Sequence, residues 1–132
     1  MQRLKLLLLE QVTKSSTFND YPKSASNAAK KALKWKEKYG KEVKGGTATG
    51  WTRAKQLANK EAISFDTVKR IKAFFDRHEK NFKVKPELKS TPWKDNGHVA
   101  GLIWGMTNAE SKDKNAIYNW AVRIINKVEK KD

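Results

Sequence analysis

Apolar positions recur at steps of three and four residues after Ser24, a spacing that places side chains along one face of an α-helix. Lysines fill most of the positions between them, and Gly40 stands where a glycine commonly ends a helix. The pattern predicts a first helix from Ser24 to Tyr39. Its buried face is expected to comprise Ala25, Ala28, Ala29, Ala32, Leu33, Trp35 and Tyr39.

Two further helices are predicted on either side of "KEAIS". The glycines of "KGGTATG" interrupt the first pattern, and its threonines are suited to cap a helix that starts between Thr49 and Thr52 and runs to about Lys60. A third helix is expected to begin at Ser64 as N-cap, with Asp66 opposing the positive helix end. The expected buried positions are Trp51, Ala54, Leu57 and Ala58 in one helix, and Phe65, Val68, Ile71, Phe74 or Phe75, and His78 in the other.

The C-terminal half begins with a long basic segment and ends with the clearest helical pattern. "NFKVKPELKSTPWKDNG" contains Pro86, Pro92 and Gly97, which predict an irregular connection. "HVAGLIWGM" predicts a short apolar helix, although a buried strand fits the same residues. The polar linker "TNAESKDKN" leads to a last helix, whose apolar face comprises Ile117, Trp120, Ala121, Ile124, Ile125 and Val128.

Together these elements predict an all-α fold, a compact bundle of about five helices with a helix-turn-helix-like pair and a long basic loop. A length of 132 residues suits one domain with one core. We therefore expect a single helical domain at residues 17–132, preceded by an N-terminal extension at residues 1–16.

The composition argues against several classes of protein. The absence of cysteine excludes a disulfide framework, a thiolate nucleophile and a cysteine-based zinc site. No apolar run approaches the ~20 residues that a membrane-spanning helix needs. "MQRLKLLLLE" has a short apolar run and no small-residue cleavage pattern after it, so a secretory signal is not expected.

The charge balance points to a polyanionic partner. Lys and Arg number 29 against 14 Asp and Glu, which gives a formal net charge of +15. Nucleic acid is the commonest partner for such an excess. Acidic protein surfaces and anionic lipids are the other partners that the charge allows.

The stretch "LANKEAISFDTVKRI" resembles the helix-turn-helix of lac-repressor-type regulators. Ala58 matches the small residue of the first helix, Ile63 the apolar residue that closes the turn and Ser64 the cap. The turn position where such motifs favour glycine is Ala62, and that position often needs a positive φ. The resemblance implies that the outward face of the second helix comprises Phe65, Asp66, Lys69, Arg70 and Ala73. The alternative is that Phe65 is core and that Lys69 and Arg70 are solvated.

A wider resemblance covers roughly residues 21–121. "YPKSASNAAKKALKW", "VKGGTATGWTRAKQLA", "DTVKRIKAFFDRHEKN", "TPWKDNGHVAGLIWG" and "NWA" resemble a small basic domain of unknown function carried in tailed-phage genomes, including phages of marine cyanobacteria. Here "MTNAESKDKNAIY" separates the last two pieces, which follow each other more closely in the family. The resemblance implies a viral setting, in the host cytoplasm or the virion interior, and no particular activity.

The N-terminal "LLLLE" allows two interpretations. Docking of Leu4 and Leu6 to Leu9 on the core is one. The other follows from a resemblance to the short targeting pieces of internal head proteins in T-even-like phages, which implies packaging and cleavage after Glu10.

Other motifs do not indicate an enzyme, a metal or a cofactor. "KGGTATGW" lacks the lysine-hydroxyl ending of a nucleotide-binding P-loop. His78 and His98 lie near acidic residues but not at the spacing of metal ligands. Aromatic residues alternate with lysine at Trp35, Phe82 and Trp93, a pattern that fits both base stacking and anchoring in the core.

We therefore expect a phage-type, helix-turn-helix-like, non-enzymatic protein that binds nucleic acid, DNA rather than RNA, mainly through phosphate contacts, with no membrane partner. The alternative is a virion structural or internal head protein whose basic face binds an acidic phage or host protein. The expected nucleic-acid-binding residues are Arg53, Lys55, Phe65, Lys69, Arg70, Lys72, Arg77, Lys83, Lys85 and Lys94.

Overall fold

A computed structural model of the protein describes residues 16–129. Nearly all of the predicted extension lies outside the described residues, as do both hypotheses about its leucines and its cleavage. The chain forms helices α1 (Lys23–Tyr39), α2 (Ala48–Ala58), α3 (Phe65–His78), α4 (Asn96–Ile103) and α5 (Ala116–Glu129). The predicted all-α bundle of about five helices is confirmed. Within residues 16–129, no helix is both long enough and apolar enough to cross a membrane.

Helix α1 ends where the sequence predicts. Gly40 adopts a φ of 53°, and its N–H donates to the carbonyl of Lys36. A side chain at a positive φ is strained, so glycine suits this position. The buried face of α1 is mostly alanine, and α2 and α4 both pack against the helix. Small side chains at a helix contact allow a short distance between the helix axes.

Polar side chains define the starts of α2 and α3. The hydroxyl of Thr47 accepts a hydrogen bond of 3.0 Å from the N–H of Gly50, so α2 starts one position before the expected window. It ends at Ala58, before Lys60. Ser64 caps α3 as predicted, accepting from the N–H of Thr67 at 3.1 Å.

An antiparallel ladder that the sequence did not predict links Thr17–Phe18 (β1) to Ile63–Ser64 (β2). Thr17 pairs with Ser64 and Phe18 with Ile63, and both apolar side chains are buried. The ring of Phe18 also meets the edge of Trp120 in α5, with centroids 6.5 Å apart. The ladder therefore connects the start of the described chain to the α2–α3 connection and to α5.

The basic segment between α3 and α4 is anchored at three points. Phe82 is fully buried, and Trp93 stacks on Tyr39 with ring centroids 3.8 Å apart. The carboxylate of Asp95 is buried, caps α4 and accepts a hydrogen bond of 2.8 Å from the N–H of Lys85. The long basic loop is confirmed. At these three points the backbone of the loop is held against the core.

The last two helices complete the core. α4 forms the predicted helix rather than the alternative strand, and it packs on α1. α5 packs on α3 and buries all of the apolar residues expected on its inner face. α3 is thus held by α5 on one side, which leaves its opposite side for the surface described next.

Candidate nucleic-acid interface

One face of α3 carries Arg70, Ala73, Phe74, Arg77 and His78 toward the surface. These positions are three or four residues apart, so their side chains lie along the same side of the helix. The sequence left open whether Phe74 or Phe75 is core. Phe75 is fully buried, whereas Phe74 is half-buried and lines the surface. Two depressions flank Phe74, and we call them the arginine groove and the lysine cleft.

The arginine groove has a volume of about 320 Å³. Its basic residues are Arg70 and Arg77, both exposed, and its aromatic residues are Phe74 and Trp104. Within the described part of the chain, the lining is Thr49, Arg70, Ala73, Phe74, Arg77 and Trp104, none of which is acidic. The groove thus joins the surface of α3 to the start of α2 and the end of α4.

The lysine cleft is larger, at about 460 Å³. Lys80, Lys83 and Lys85 are exposed along it, and His78 contributes a ring. The cleft is also lined by Phe74, Asn81, Asp95, Asn96, Gly97 and Ala100. Among the residues that the structure describes, Asp95 is the only carboxylate that lines the cleft. That side chain is 2% exposed and accepts hydrogen bonds from the N–H groups of Lys85 and His98. The accessible charge of the cleft is therefore positive.

Aromatic stacking fixes the wall between the two depressions. The ring of Phe74 lies nearly parallel to Trp104, with centroids 5.1 Å apart, and to Phe82, with centroids 5.9 Å apart. Phe82 is fully buried, so it holds Phe74 to the core. The cations on both sides therefore project from a rigid surface.

Arg70 has an acidic neighbour on its own helix. Its Nε donates to Oδ2 of Asp66 at 2.8 Å, and the two side chains are 60% and 67% exposed. Ion pairs as exposed as this one contribute little free energy. Arg70 can therefore exchange Asp66 for another anion at small cost. Within the described chain, Arg77 forms no ion pair.

Arg53 does not lie on the surface, and the expectation that it faces phosphates from an exposed position is wrong. It is only 9% exposed, and its guanidinium carbon lies 5.5 Å from the centroid of the Trp104 ring. Its Nη1 donates to Oε1 of Gln56. Burial lowers the pKa of Arg53, and the charge of Arg70 lowers it further. The physical reason for its position is packing against the Trp104 ring together with the hydrogen bond to Gln56.

Phe65 is core, so its predicted place on the outward face is also wrong. It is 2% exposed and begins the apolar stripe that continues with Val68 and Ile71. Lys69 extends over its ring, with Nζ 5.3 Å from the centroid. The alternative stated for Phe65 therefore applies: its side chain is part of the core.

The remaining predicted residues do not line either depression. Lys55 and Lys69 are exposed elsewhere on α2 and α3. Lys72 binds Asp76 with an Nζ–Oδ2 distance of 2.7 Å, and this hydrogen bond raises the pKa of Lys72. Lys94 pairs with Glu42 at 3.8 Å. The structure therefore brings together Arg70, Arg77, Lys83 and Lys85 from the predicted set.

Helices α2 and α3 and their connection occupy the stretch that resembles a helix-turn-helix. Ala58, Ile63 and Val68 are buried, as the motif requires. The connection, however, spans residues 59–64, longer than the three or four residues of the motif. Lys60, with a φ of 53°, takes the positive dihedral angle rather than Ala62. The two helices also have different main partners, since α2 packs on α1 and α3 on α5.

Lys80, His78 and Trp104 line the surface but were not among the predicted nucleic-acid-binding residues. Lys80 and His78 were missed because only the turn that buries Phe82 brings them beside α4. Trp104 was missed because it lies in an apolar segment, "HVAGLIWGM", that carries no cationic residue. The one signal available was the spacing of Arg70, Phe74 and Arg77, which places them on one helix face.

The histidines and the glycine-rich loop have structural contacts. His98 Nδ1 bonds the carbonyl oxygen of Phe82 at 2.8 Å, and His78 packs against Phe74 with centroids 4.8 Å apart. Within residues 16–129, no three acidic or histidine side chains are grouped to hold a metal ion. Gly46 has a φ of 80° and lies against Trp51, so the loop is packed as a connector.

No protein-family model matches the chain, and neither a curated protein nor a solved structure is significantly similar to it.

Proposed function

We propose that the protein binds nucleic acid, with DNA as the expected form, through phosphate contacts on the arginine groove and the lysine cleft. One observation carries the proposal. Five cationic side chains flank Phe74, while the single carboxylate that residues 16–129 contribute to either depression is buried and hydrogen-bonded. The five are Arg70, Arg77, Lys80, Lys83 and Lys85.

The aromatic residues of this surface favour phosphate contacts over base stacking. A stacking platform needs an accessible ring face. Trp104 is already in contact with Phe74 and with the guanidinium of Arg53. Phe74 is stacked on both Trp104 and Phe82. Because these rings already stack in the wall between the two depressions, we expect the cationic side chains to provide the affinity for nucleic acid.

Salt dependence tests this mechanism. Neutralising about six phosphates releases condensed counterions, so the logarithm of the affinity should fall against the logarithm of salt with a slope of roughly −5. Duplex and single-stranded DNA and RNA would be titrated by fluorescence anisotropy at several salt concentrations. Absence of micromolar binding to all of them at low salt would falsify the proposal.

A pair of double variants locates the surface. Lys83→Gln with Lys85→Gln should weaken binding to every sequence and lower the magnitude of the salt slope by about 2. Lys114→Gln with Lys127→Gln removes the same charge from exposed positions outside both depressions and should have a smaller effect. Equal effects of the two double variants would mean that binding depends on net charge alone and not on this surface.

The same titrations address the alternative role as a virion structural protein. Binding to an acidic protein that persists at salt concentrations which abolish nucleic-acid binding would favour that role. Either role is compatible with the proposed viral setting.

A further inference from the structure

The outward face of α1 is a row of lysines. At 3.6 residues per turn, seven exposed positions lie within an arc of about 120° on the side of α1 opposite its buried alanines. Two of them are Asn27 and Glu37, and the other five are Lys23, Lys30, Lys31, Lys34 and Lys38. Within residues 16–129, none of these five lysines takes part in an ion pair. We call this surface the α1 lysine face.

The charges of the α1 lysine face repel one another. Lys34 lies four residues from both Lys30 and Lys38, and like charges at this spacing destabilise a helix. Glu37 is the one carboxylate of α1, against six lysines in the helix. The helix keeps this charge because its opposite face is buried against α2 and α4. A polyanion bound along the outward face would relieve the repulsion.

Nucleic acid fits this face better than a membrane does. A basic amphipathic helix binds a membrane by inserting its apolar face, but the apolar face of α1 is already part of the core. From Lys23 to Lys38 the row is about 22 Å long. A duplex presents phosphates at a regular spacing over such a length, and lysines on flexible stems can follow them.

Helix α4 separates this face from the lysine cleft. Gly97 and Ala100 of α4 line the cleft. His98 and Leu102 line a different depression, of about 330 Å³, together with Lys31 of α1. At 3.6 residues per turn, these two pairs point about 150° apart around α4. The two basic surfaces therefore lie on different sides of α4 and can contact different segments of nucleic acid.

We propose that the α1 lysine face is a second nucleic-acid-binding surface, through which one molecule joins two segments of duplex. The inference rests on the proposed function, which places the first segment at the arginine groove and the lysine cleft. Both surfaces offer cations to phosphates, so bridging should not depend on sequence. A protein that bridges segments in this way organises nucleic acid and does not need to read a particular site.

Capture of one duplex by another measures bridging directly. A biotinylated duplex would be fixed on beads, and a fluorescent duplex of another sequence would be added with the full chain at low salt. The parent should retain the fluorescent duplex. Lys30→Gln with Lys34→Gln removes two charges from the centre of the α1 lysine face and should lower retention by about fivefold or more. Its affinity for a single duplex, measured by fluorescence anisotropy, should stay within about threefold of the parent's.

Two further double variants complete the test. Lys83→Gln with Lys85→Gln should also lower retention, together with the weaker binding of a single duplex expected for the first surface. Lys114→Gln with Lys127→Gln removes the same charge elsewhere and should retain the fluorescent duplex like the parent.

Thermal unfolding provides the control for folding. Because Lys30→Gln with Lys34→Gln reduces the repulsion on α1, its Tm should be no lower than the parent's. Lost retention in a variant of unchanged Tm cannot come from loss of the fold.

The outcomes separate this inference from the proposed function. Equal retention by the parent and by Lys30→Gln with Lys34→Gln would overturn the second surface, as would a parent that binds one duplex and retains no other. Neither result affects the proposed function. A parent that binds no nucleic acid would overturn both. In that case, binding of phosphatidylserine vesicles or of polyglutamate through Lys30 and Lys34 would assign the face to an anionic lipid or to an acidic protein instead.

Discussion

The hydroxyl of Tyr118 donates a hydrogen bond of 2.7 Å to Oδ1 of Asp76, joining α5 to α3 across 42 positions of the chain. Lys72 and Lys112 bind the same carboxylate at 2.7 and 3.0 Å. Burial raises the pKa of Asp76, but the hydrogen bonds from Lys72, Tyr118 and Lys112 outweigh it and lower the pKa to about 2. Within the described chain, a carboxylate that lines neither depression thus fastens α3 to α5.

The stability contributed by Asp76 should be lost in acid. Its pKa is about 2 in the folded chain against an ordinary 3.8, so the contribution is present above about pH 4 and disappears as the pH falls through about 2. Solvent screening of this partly exposed carboxylate limits the effect to about 1 kcal/mol. Denaturant unfolding from neutral pH to about pH 2 should therefore show a greater loss of stability in the parent than in Asp76→Asn. Equal losses of stability with falling pH in the parent and in Asp76→Asn would contradict this role of Asp76.

Asn115 should be the most sensitive polar position of the C-terminal half. It is fully buried, and its Oδ1 accepts from the N–H groups of Thr107 and Asn108 at 2.7 and 2.9 Å. Its Nδ2 donates to the carbonyl oxygens of Asn108 and Ser111 at 3.0 and 2.9 Å. Asn115→Ala leaves these backbone groups without their partner and should lower the free energy of unfolding by about 3 kcal/mol or more.

Asn119→Ala is the matched control for that change. Asn119 is exposed, and its side chain makes one hydrogen bond, to the carbonyl of Asp113. Urea unfolding should give a cost below about 1 kcal/mol for this variant. Similar costs for Asn115→Ala and Asn119→Ala would show that the Asn115 amide does not organise the linker.

The helices could be predicted because their signals are local. The spacing of apolar residues, the cap at Ser64 and the terminating Gly40 all act within a few positions of the chain. The ladder between Phe18 and Ile63 and the folded linker around Asn115 could not be predicted in this way. They depend on partners that the fold brings together, across 45 positions in the case of the ladder.

The candidate site was predictable only in its charged residues. The positions of the cationic residues in the sequence indicated Arg70, Arg77, Lys83 and Lys85. They did not distinguish these residues from the buried Arg53, because a long side chain on a helix can bend toward the core or toward solvent. The burial of Arg53 depends on Trp104, which lies 51 positions later in the chain. The arrangement of the groove is therefore a property of the tertiary structure.

A substitution at Gly97 should affect both the stability of the fold and the binding of nucleic acid at the lysine cleft. A Cβ at this position would lie 2.1 Å from the backbone oxygen of Asn81, so the turn after α3 would have to move away from α4. Gly97→Ala is expected to cost about 1 to 3 kcal/mol and to weaken nucleic-acid binding, since Lys80 and Lys83 flank Asn81.

Gly50→Ala provides the control for a glycine in the first turn of a helix. The nearest atom to an added Cβ is the Thr47 hydroxyl at 3.4 Å, an ordinary contact distance. Alanine favours the helix over glycine by up to about 1 kcal/mol, so this variant should be neutral or more stable. Equal losses of thermal stability in Gly97→Ala and Gly50→Ala would contradict the close packing of α4 on Asn81.

Substitutions of Lys69 and Arg70 distinguish two surfaces through which α3 can contact nucleic acid. Both residues belong to the face that the helix-turn-helix resemblance turns outward, but Arg70 also lines the arginine groove, whereas Lys69 lies over Phe65 and does not line it. Arg70→Ala should weaken binding more than Lys69→Ala, and both should change stability by less than about 0.5 kcal/mol because both side chains are exposed. Val68→Ala should cost about 1 to 3 kcal/mol and affect binding only through the folded fraction, since Val68 is fully buried. Anisotropy titrations with random and selected duplexes should show a uniform loss for Arg70→Ala, as expected for a phosphate contact. A larger loss for Lys69→Ala would mean that α3 reads DNA with its helix-turn-helix face, and the arginine groove would no longer be the binding surface.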